Sequence, residues 1–153
     1  MGTYFTQKTG FSIHECEWAN ISRPELISEI HREYVKAGAQ FLRTNTFSAN
    51  TKSLGRPLAD VLEIVRAGYR LAKEAAGCQA VAAADMTAIY PRGDEETDLL
   101  PEYLAIADAF LSEGAEVFLF ETLTELSPFD QIADYLKKKK PECKVFDFLY
   151  RIP

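Results

Sequence analysis

The fold class predicted for this chain is α/β with parallel strands, and three observations predict it. Amphipathic helical stretches alternate with short apolar runs, helix then strand, four times along the 153 residues. One phrase occurs twice: Ala37-Gly38-Ala39-Gln40 leads into Phe41-Leu42-Arg43-Thr44-Asn45-Thr46, and Glu113-Gly114-Ala115-Glu116 leads into Val117-Phe118-Leu119-Phe120-Glu121-Thr122. Each time a helix closes on Gly, which suits the left-handed position that ends a helix, and an apolar run of buried-strand length follows. Finally, Gly38 and Gly114 stand 76 residues apart, the length of two βα units.

Taken in order, residues Met1 to Ile21 have no sustained period and read as a packed loop. Ser22-Arg23-Pro24-Glu25 reads as a helix start, with a capping serine, a first-turn proline and a glutamate three residues after the cap. The helix runs to about Ala37 and turns Leu26, Ile27, Ile30, Tyr34 and Val35 inward. Phe41 to Thr44 is a strand and Phe47 to Arg56 a polar loop. A second helix begins near Pro57, buries Leu58, Val61, Leu62, Val65, Tyr69 and Ala72, and ends on Gly77.

The small side chains of Ala80 to Ala84 form the next strand, which is expected to end at Asp85. A long loop with Pro91, Gly93 and Asp94-Glu95-Glu96 follows and reads as solvated. Leu99 to Ser112 is a helix with Pro101 in its first turn and Leu104, Ala107, Phe110 and Leu111 facing in. Val117 to Phe120 is a strand, and Ser127-Pro128 starts a helix carrying Ile132, Ala133, Tyr135 and Leu136. That helix finishes on Lys137 to Lys140, where its dipole favours cations, and Lys144 to Tyr150 is the last strand.

Such alternation fits either a doubly wound sheet or a (β/α)8 barrel. Neither G-x-G-x-x-G nor G-x-x-x-x-G-K-[ST] occurs, so nothing supports a nucleotide-binding doubly wound sheet. The reading is therefore a partial (β/α)8 barrel of about four strands, because a whole barrel takes about 250 residues. The composition is 47% hydrophobic, with 17 basic and 23 acidic residues and a net charge of -6, which suits one globular domain and argues against a nucleic-acid partner. No apolar stretch approaches the roughly 20 residues of a membrane span, and no signal peptide opens the chain. A cytoplasmic location is expected. Cys16, Cys78 and Cys143 lack the spacing of a structural zinc motif, and neither His14 nor His31 belongs to a local metal pair, so no metal ligand is assigned.

The segment Pro24-Glu25-Leu26 through Ile30-His31, Tyr34 and Ala37-Gly38-Ala39, followed by Thr44-Asn45-Thr46-Phe47 and Ala49-Asn50, resembles the homocysteine S-methyltransferase family, and the likeness continues to Glu121-Thr122. This family includes the N-terminal module of cobalamin-dependent methionine synthase and betaine:homocysteine methyltransferase. Met1-Gly2-Thr3 resembles the end of the family's D-G-x-M-G-T opening. The resemblance implies that residues 1–153 are a truncated homocysteine-binding barrel domain, without its first strand and its C-terminal half. It also implies methyl transfer to the thiol of homocysteine, in methionine synthesis, by the complete domain.

The implied cofactor is a zinc ion that makes the thiolate, with methyltetrahydrofolate as one methyl donor. Family members hold that zinc with cysteines in a G-x-N-C-like and a Gly-Gly-Cys-Cys motif. Neither occurs here, so the fragment is expected to be inactive. Residue by residue, Glu121 matches the family's ammonium-binding glutamate and Gly2 and Thr3 its substrate-approaching loop. Asn45 and Thr46 complete the expected substrate-binding set, chiefly by ordering their loop. The family's usual G-S-I-G-P is replaced by Ala84-Asp85-Met86-Thr87-Ala88. The ending, Val145 to Pro153, departs from the family and reads as a truncation. A second reading is a non-catalytic half-barrel that associates with itself or a complementary half through open sheet edges.

Overall fold

Gly38 and Gly114 both adopt positive φ, 93° and 82°, and each turns a helix into a parallel strand. The computed structural model describes residues 1–90, 98–123 and 128–149. Its strands are β1 (Phe41–Arg43), β2 (Val81–Thr87), β3 (Val117–Leu123) and β4 (Lys144–Leu149), hydrogen-bonded in that order and all parallel. The principal helices are α3 (Pro24–Lys36), α5 (Leu58–Ala76), α6 (Leu100–Ser112) and α7 (Phe129–Lys139). This is the predicted architecture, half of a (β/α)8 barrel's strands with their helices.

Strand alternation sorts the sheet into two faces. Ala82, Ala84 and Met86 of β2 and Phe118 and Phe120 of β3 share the main core with Ile64 and Val65 of α5, Ile106 and Phe110 of α6, and Ile132 and Leu136 of α7. The alanines of β2 give the aromatic rings of β3 room, and the rings of Phe110 and Phe118 meet edge-on with centroids 6.3 Å apart. The other face carries only a small cluster of Ala83, Val117 and Leu119. Beside it Phe41 and Val81, partners across β1 and β2, are 58% and 43% exposed, and Phe146, partner of Leu119, is 44% exposed.

Several expectations need correction. Residues 1–21 are not a loop: they form α1 (Gly2–Thr9), a 3-10 turn (Ile13–Glu15) and the start of α2 (Ala19–Ser22). Phe5, Cys16 and Ala19 from this segment pack with Ile27 and Ile30 of α3, a tertiary contact that no local period announces. Ser22 does not cap α3. The Arg23 position precedes the helix with no side-chain cap bond, Pro24 takes the first turn, and the Ser22 hydroxyl donates back to Trp18 O.

Tyr34 is 37% exposed and lies edge-on to Tyr4 rather than in the core, whereas His31 is buried beside Ile27 and Ile30. The loop after Phe47 contains α4 (Thr51–Leu54), capped by Asn50 Oδ1, which accepts from Ser53 N. Strand β2 runs through Asp85 to Thr87, and β3 runs through Glu121 and Thr122. Leu104 and Leu111 are only half-buried, while Tyr103, Ile106 and Ala109 supply most of the buried α6 face with Ala107 and Phe110. Asp94-Glu95-Glu96, Ser127 and Tyr150 lie outside the described residues.

Gly68 of α5 marks the closest approach between layers. A Cβ there would stand 2.5 Å from Asn20 Nδ2 and 2.9 Å from Thr46 Cγ2. Alanine in a helix interior is ordinarily better than glycine by about 1 kcal/mol. At this site Gly68→Ala is expected to invert that sign and destabilise the chain by about 1–3 kcal/mol through overpacking. Urea unfolding measures it, and a raised midpoint would contradict the close approach.

Candidate functional site

A cleft of about 510 Å³ opens at the C-terminal ends of β1, β2 and β3, the end at which barrel folds keep their chemistry. Its floor is Arg43, Asp85 and Glu121, one from each strand, and its other side is built from Met1, Gly2 and Thr3 with the turn before α2. Four of the five residues expected at the site, Gly2, Thr3, Asn45 and Glu121, line this cleft. Thr46 instead lines a smaller neighbouring pocket with Met86 and Tyr103.

Asn45 ties the two sides together. Its Nδ2 donates to Cys16 O at 2.6 Å and to Asn20 Oδ1 at 2.8 Å, and its Oδ1 accepts from Cys16 Sγ at 3.0 Å. Asn20 Nδ2 donates in turn to Asn45 O at 2.8 Å and Ile64 O at 3.2 Å. Two buried amides thus satisfy each other and fasten the N-terminal segment to the end of β1.

Thr44 and Thr46 fix the backbone of the next strand. Asp85 N donates to Thr44 Oγ1 at 2.9 Å, Thr46 Oγ1 donates to Asp85 O at 2.8 Å, and the two hydroxyls lie 2.6 Å apart. Since Thr46 spends its proton on the carbonyl, Thr44 donates to Thr46, and the three bonds close a ring around Asp85. Glu121 is positioned by a bulge. The β3–β4 register shifts between Phe120 and Leu123, and Thr122 takes a φ of 55°, an uncommon conformation for a β-branched residue. The Thr87 and Thr122 hydroxyls sit 2.6 Å apart and each lies within reach of Glu121 O, so one donates to that carbonyl and the other to its partner hydroxyl.

The charges of the floor are unevenly matched. Arg43 Nη1 donates to both oxygens of Glu121, at 2.5 and 2.7 Å. Asp85 is 3% exposed, its Oδ1 has no hydrogen-bond partner, and burial, reinforced by the nearby Glu121 carboxylate, pushes its carboxyl up to about 8. Glu17, also buried, accepts from Ser48 N at 3.0 Å, and burial raises its pKa too.

Sequence reasoning missed Arg43, Asp85 and Glu17. The available signal was an ionisable residue closing each otherwise apolar run, Phe41-Leu42-Arg43 and Ala82-Ala83-Ala84-Asp85. The cysteines do not converge: Cys16 lies buried under Asn45, Cys78 is exposed after α5, and Cys143 is buried before β4. Burial pushes the Cys16 thiol up to about 12, the reverse of what a reactive or metal-bound thiolate needs. Among the described residues no group of three or more His, Cys, Asp or Glu is placed to hold a metal ion. No helix among them is long and apolar enough to cross a membrane.

The sequence model of the family described as homocysteine S-methyltransferase matches residues 1–149. A methionine synthase of Mycobacterium tuberculosis is 31% identical over 122 residues, 72% of this chain and 10% of that protein. One of Mycobacterium leprae is 46% identical over 39 residues, 26% of this chain and 3% of that protein. The homocysteine methyltransferase MmuM of Escherichia coli, in its metallated form, superposes with a TM-score of 0.74 at 21% identity, covering 99% of this chain and 62% of that one. Its apo form gives 0.70 at the same identity, with 98% and 57% covered. The chain therefore spans a tenth or less of these synthases and about three fifths of the solved chains, whose likeness establishes the fold.

The state of Asp85 has a consequence for stability. A carboxyl raised from its ordinary value of about 4 to about 8 favours the folded chain at low pH, and that contribution is lost as pH rises toward 8. Asp85→Asn is expected to gain on the wild type by about 3–4 kcal/mol between pH 5 and pH 8. Buried His31, lowered to about 4, costs stability as pH falls below about 6.5, but equally in both proteins. Denaturation curves at the two pH values measure the difference, and parallel curves would contradict it.

Proposed function

Because the chain belongs to the homocysteine S-methyltransferase family, we propose that its cleft holds homocysteine and forms the amino-acid-binding part of a methyl-transfer site. The observation that carries this reading is Glu121. A carboxylate at the end of a barrel strand, turned into the cleft by a bulge and flanked by Gly2, Thr3 and Asn45, suits the ammonium group of an amino acid. Arg43, already bound to Glu121, is the guanidinium available to a substrate carboxylate.

In the complete domain this site would serve methyl transfer to the homocysteine sulfur in methionine synthesis, with methyltetrahydrofolate as one candidate donor. That reaction needs a thiolate, which a zinc ion supplies by lowering the thiol pKa. Cys16, Cys78 and Cys143 lie apart and do not fit such a site. We therefore read residues 1–153, taken alone, as binding the amino acid without catalysing its methylation. L-Homocysteine is expected to bind the chain, and Glu121→Gln to weaken it by about tenfold or more. Calorimetry measures the affinity, and an unchanged value would remove Glu121 from the site. Incubation with zinc, methyltetrahydrofolate and homocysteine is expected to yield no methionine, and turnover would overturn the inactive reading.

A second reading rests on the uncovered sheet face. Phe41, Val81 and Phe146 are exposed beside Ala83, Val117 and Leu119, and β1 and β4 are edges of the described sheet. Exposed apolar surface and open edges favour association with a second half-barrel. Sedimentation velocity across a concentration series is expected to show a growing dimer fraction, whereas a monomer at every concentration would end this reading.

A further inference from the structure

We propose that Asp85 is a second ammonium-receiving carboxyl of the cleft, acting beside Glu121 on the amino group of an amino-acid ligand. This rests on the amino-acid reading given above. The first support is an orphan: Asp85 Oδ1 is buried, has no hydrogen-bond partner, and belongs to a residue that lines the cleft. Buried polar atoms are nearly always bonded, so an unpaired one at the wall of a cavity marks where a donor belongs. The second support is placement. The ring formed with Thr44 and Thr46 holds the backbone of Asp85, and Glu121 lies two residues beyond its register partner Leu119, on the same face of the sheet. The third is availability. Each oxygen of Glu121 accepts once from Arg43 and keeps a lone pair for the ligand, whereas Asp85 Oδ1 accepts from no donor at all.

Charge identifies the donor as a cation. The groups acting on Asp85 are the carboxylates of Glu121 and Glu17, the guanidinium of Arg43 and the chain's amino terminus. With Asp85 ionised, these groups would be three carboxylates against two cations. In the empty cleft it keeps its proton at pH 7, since burial holds its carboxyl near 8. A neutral hydroxyl or water would satisfy Oδ1 without changing that state. An ammonium group would supply the hydrogen bond and set a positive charge directly against Asp85, and the carboxyl proton would pass to solvent as the ligand enters.

The test compares L-homocysteine with 4-mercaptobutanoate, which has the same thiol and carboxylate but no amino group. Binding of each to the wild type, Asp85→Asn and Glu121→Gln is measured at pH 7 by calorimetry in two buffers of different ionisation enthalpy. The wild type is expected to prefer homocysteine by about tenfold or more and to release close to one more proton with it than with 4-mercaptobutanoate. Asp85→Asn is expected to lose most of the preference and the extra proton, with its affinity for 4-mercaptobutanoate within about threefold of wild type. If Asp85→Asn keeps both while Glu121→Gln loses the preference, Asp85 has no such role and the amino-acid reading stands. If the wild type itself has no preference, or does not bind homocysteine, the reading of the cleft fails and the role of Asp85 with it.

Discussion

A carboxyl buried without a partner is the constraint around which the functional end of this molecule is arranged. Asp85 follows the alanines of β2, whose small side chains let the aromatic rings of β3 and the helices behind them close up. Strand alternation turns the carboxyl to the opposite face, onto the cleft. Desolvation disfavours its charge, so the carboxyl keeps its proton in the folded chain near neutral pH. Binding sites commonly carry groups that cost stability, and Asp85 is such a group here.

The rest of the cleft is built to hold that residue and its neighbours still. Three threonines and two asparagines carry out this task with short, satisfied hydrogen bonds. Thr44 and Thr46 clasp the backbone of Asp85, Thr122 turns the chain at Glu121, and the Asn20–Asn45 amide pair fastens the N-terminal segment over the strand ends. Gly68 makes the fastening possible by leaving room for the Asn20 amide against α5. Sequence, packing and site are linked at that glycine, far from any reacting group.

Much of the fold was legible because it is local. Gly38, Gly77 and Gly114 end helices where periodicity stops, and the apolar runs that follow are β1, β2 and β3. The placement of Glu121 at the cleft was legible from the apolar run that leads into it. What remained hidden depends on contacts between distant segments. The helices before residue 22 form against α3, and their own sequence has no sustained period. Asp85 read as the end of a strand because a charge normally stops an apolar run, yet β2 continues through it to Thr87. The Arg43–Glu121 pair spans two strands with β2 between them, and only the sheet order brings them together. The capping pattern at Ser22 failed because α2 already uses that residue, whose hydroxyl turns back to Trp18.

The account therefore turns on the protonation of one side chain. Its most direct test is a carbon-13 NMR titration of the Asp85 carboxyl in the folded chain, with and without L-homocysteine. A midpoint near 8 in the free chain, falling below 7 when the ligand is bound, is the predicted result. A free-chain midpoint near 4, unmoved by the ligand, would contradict it.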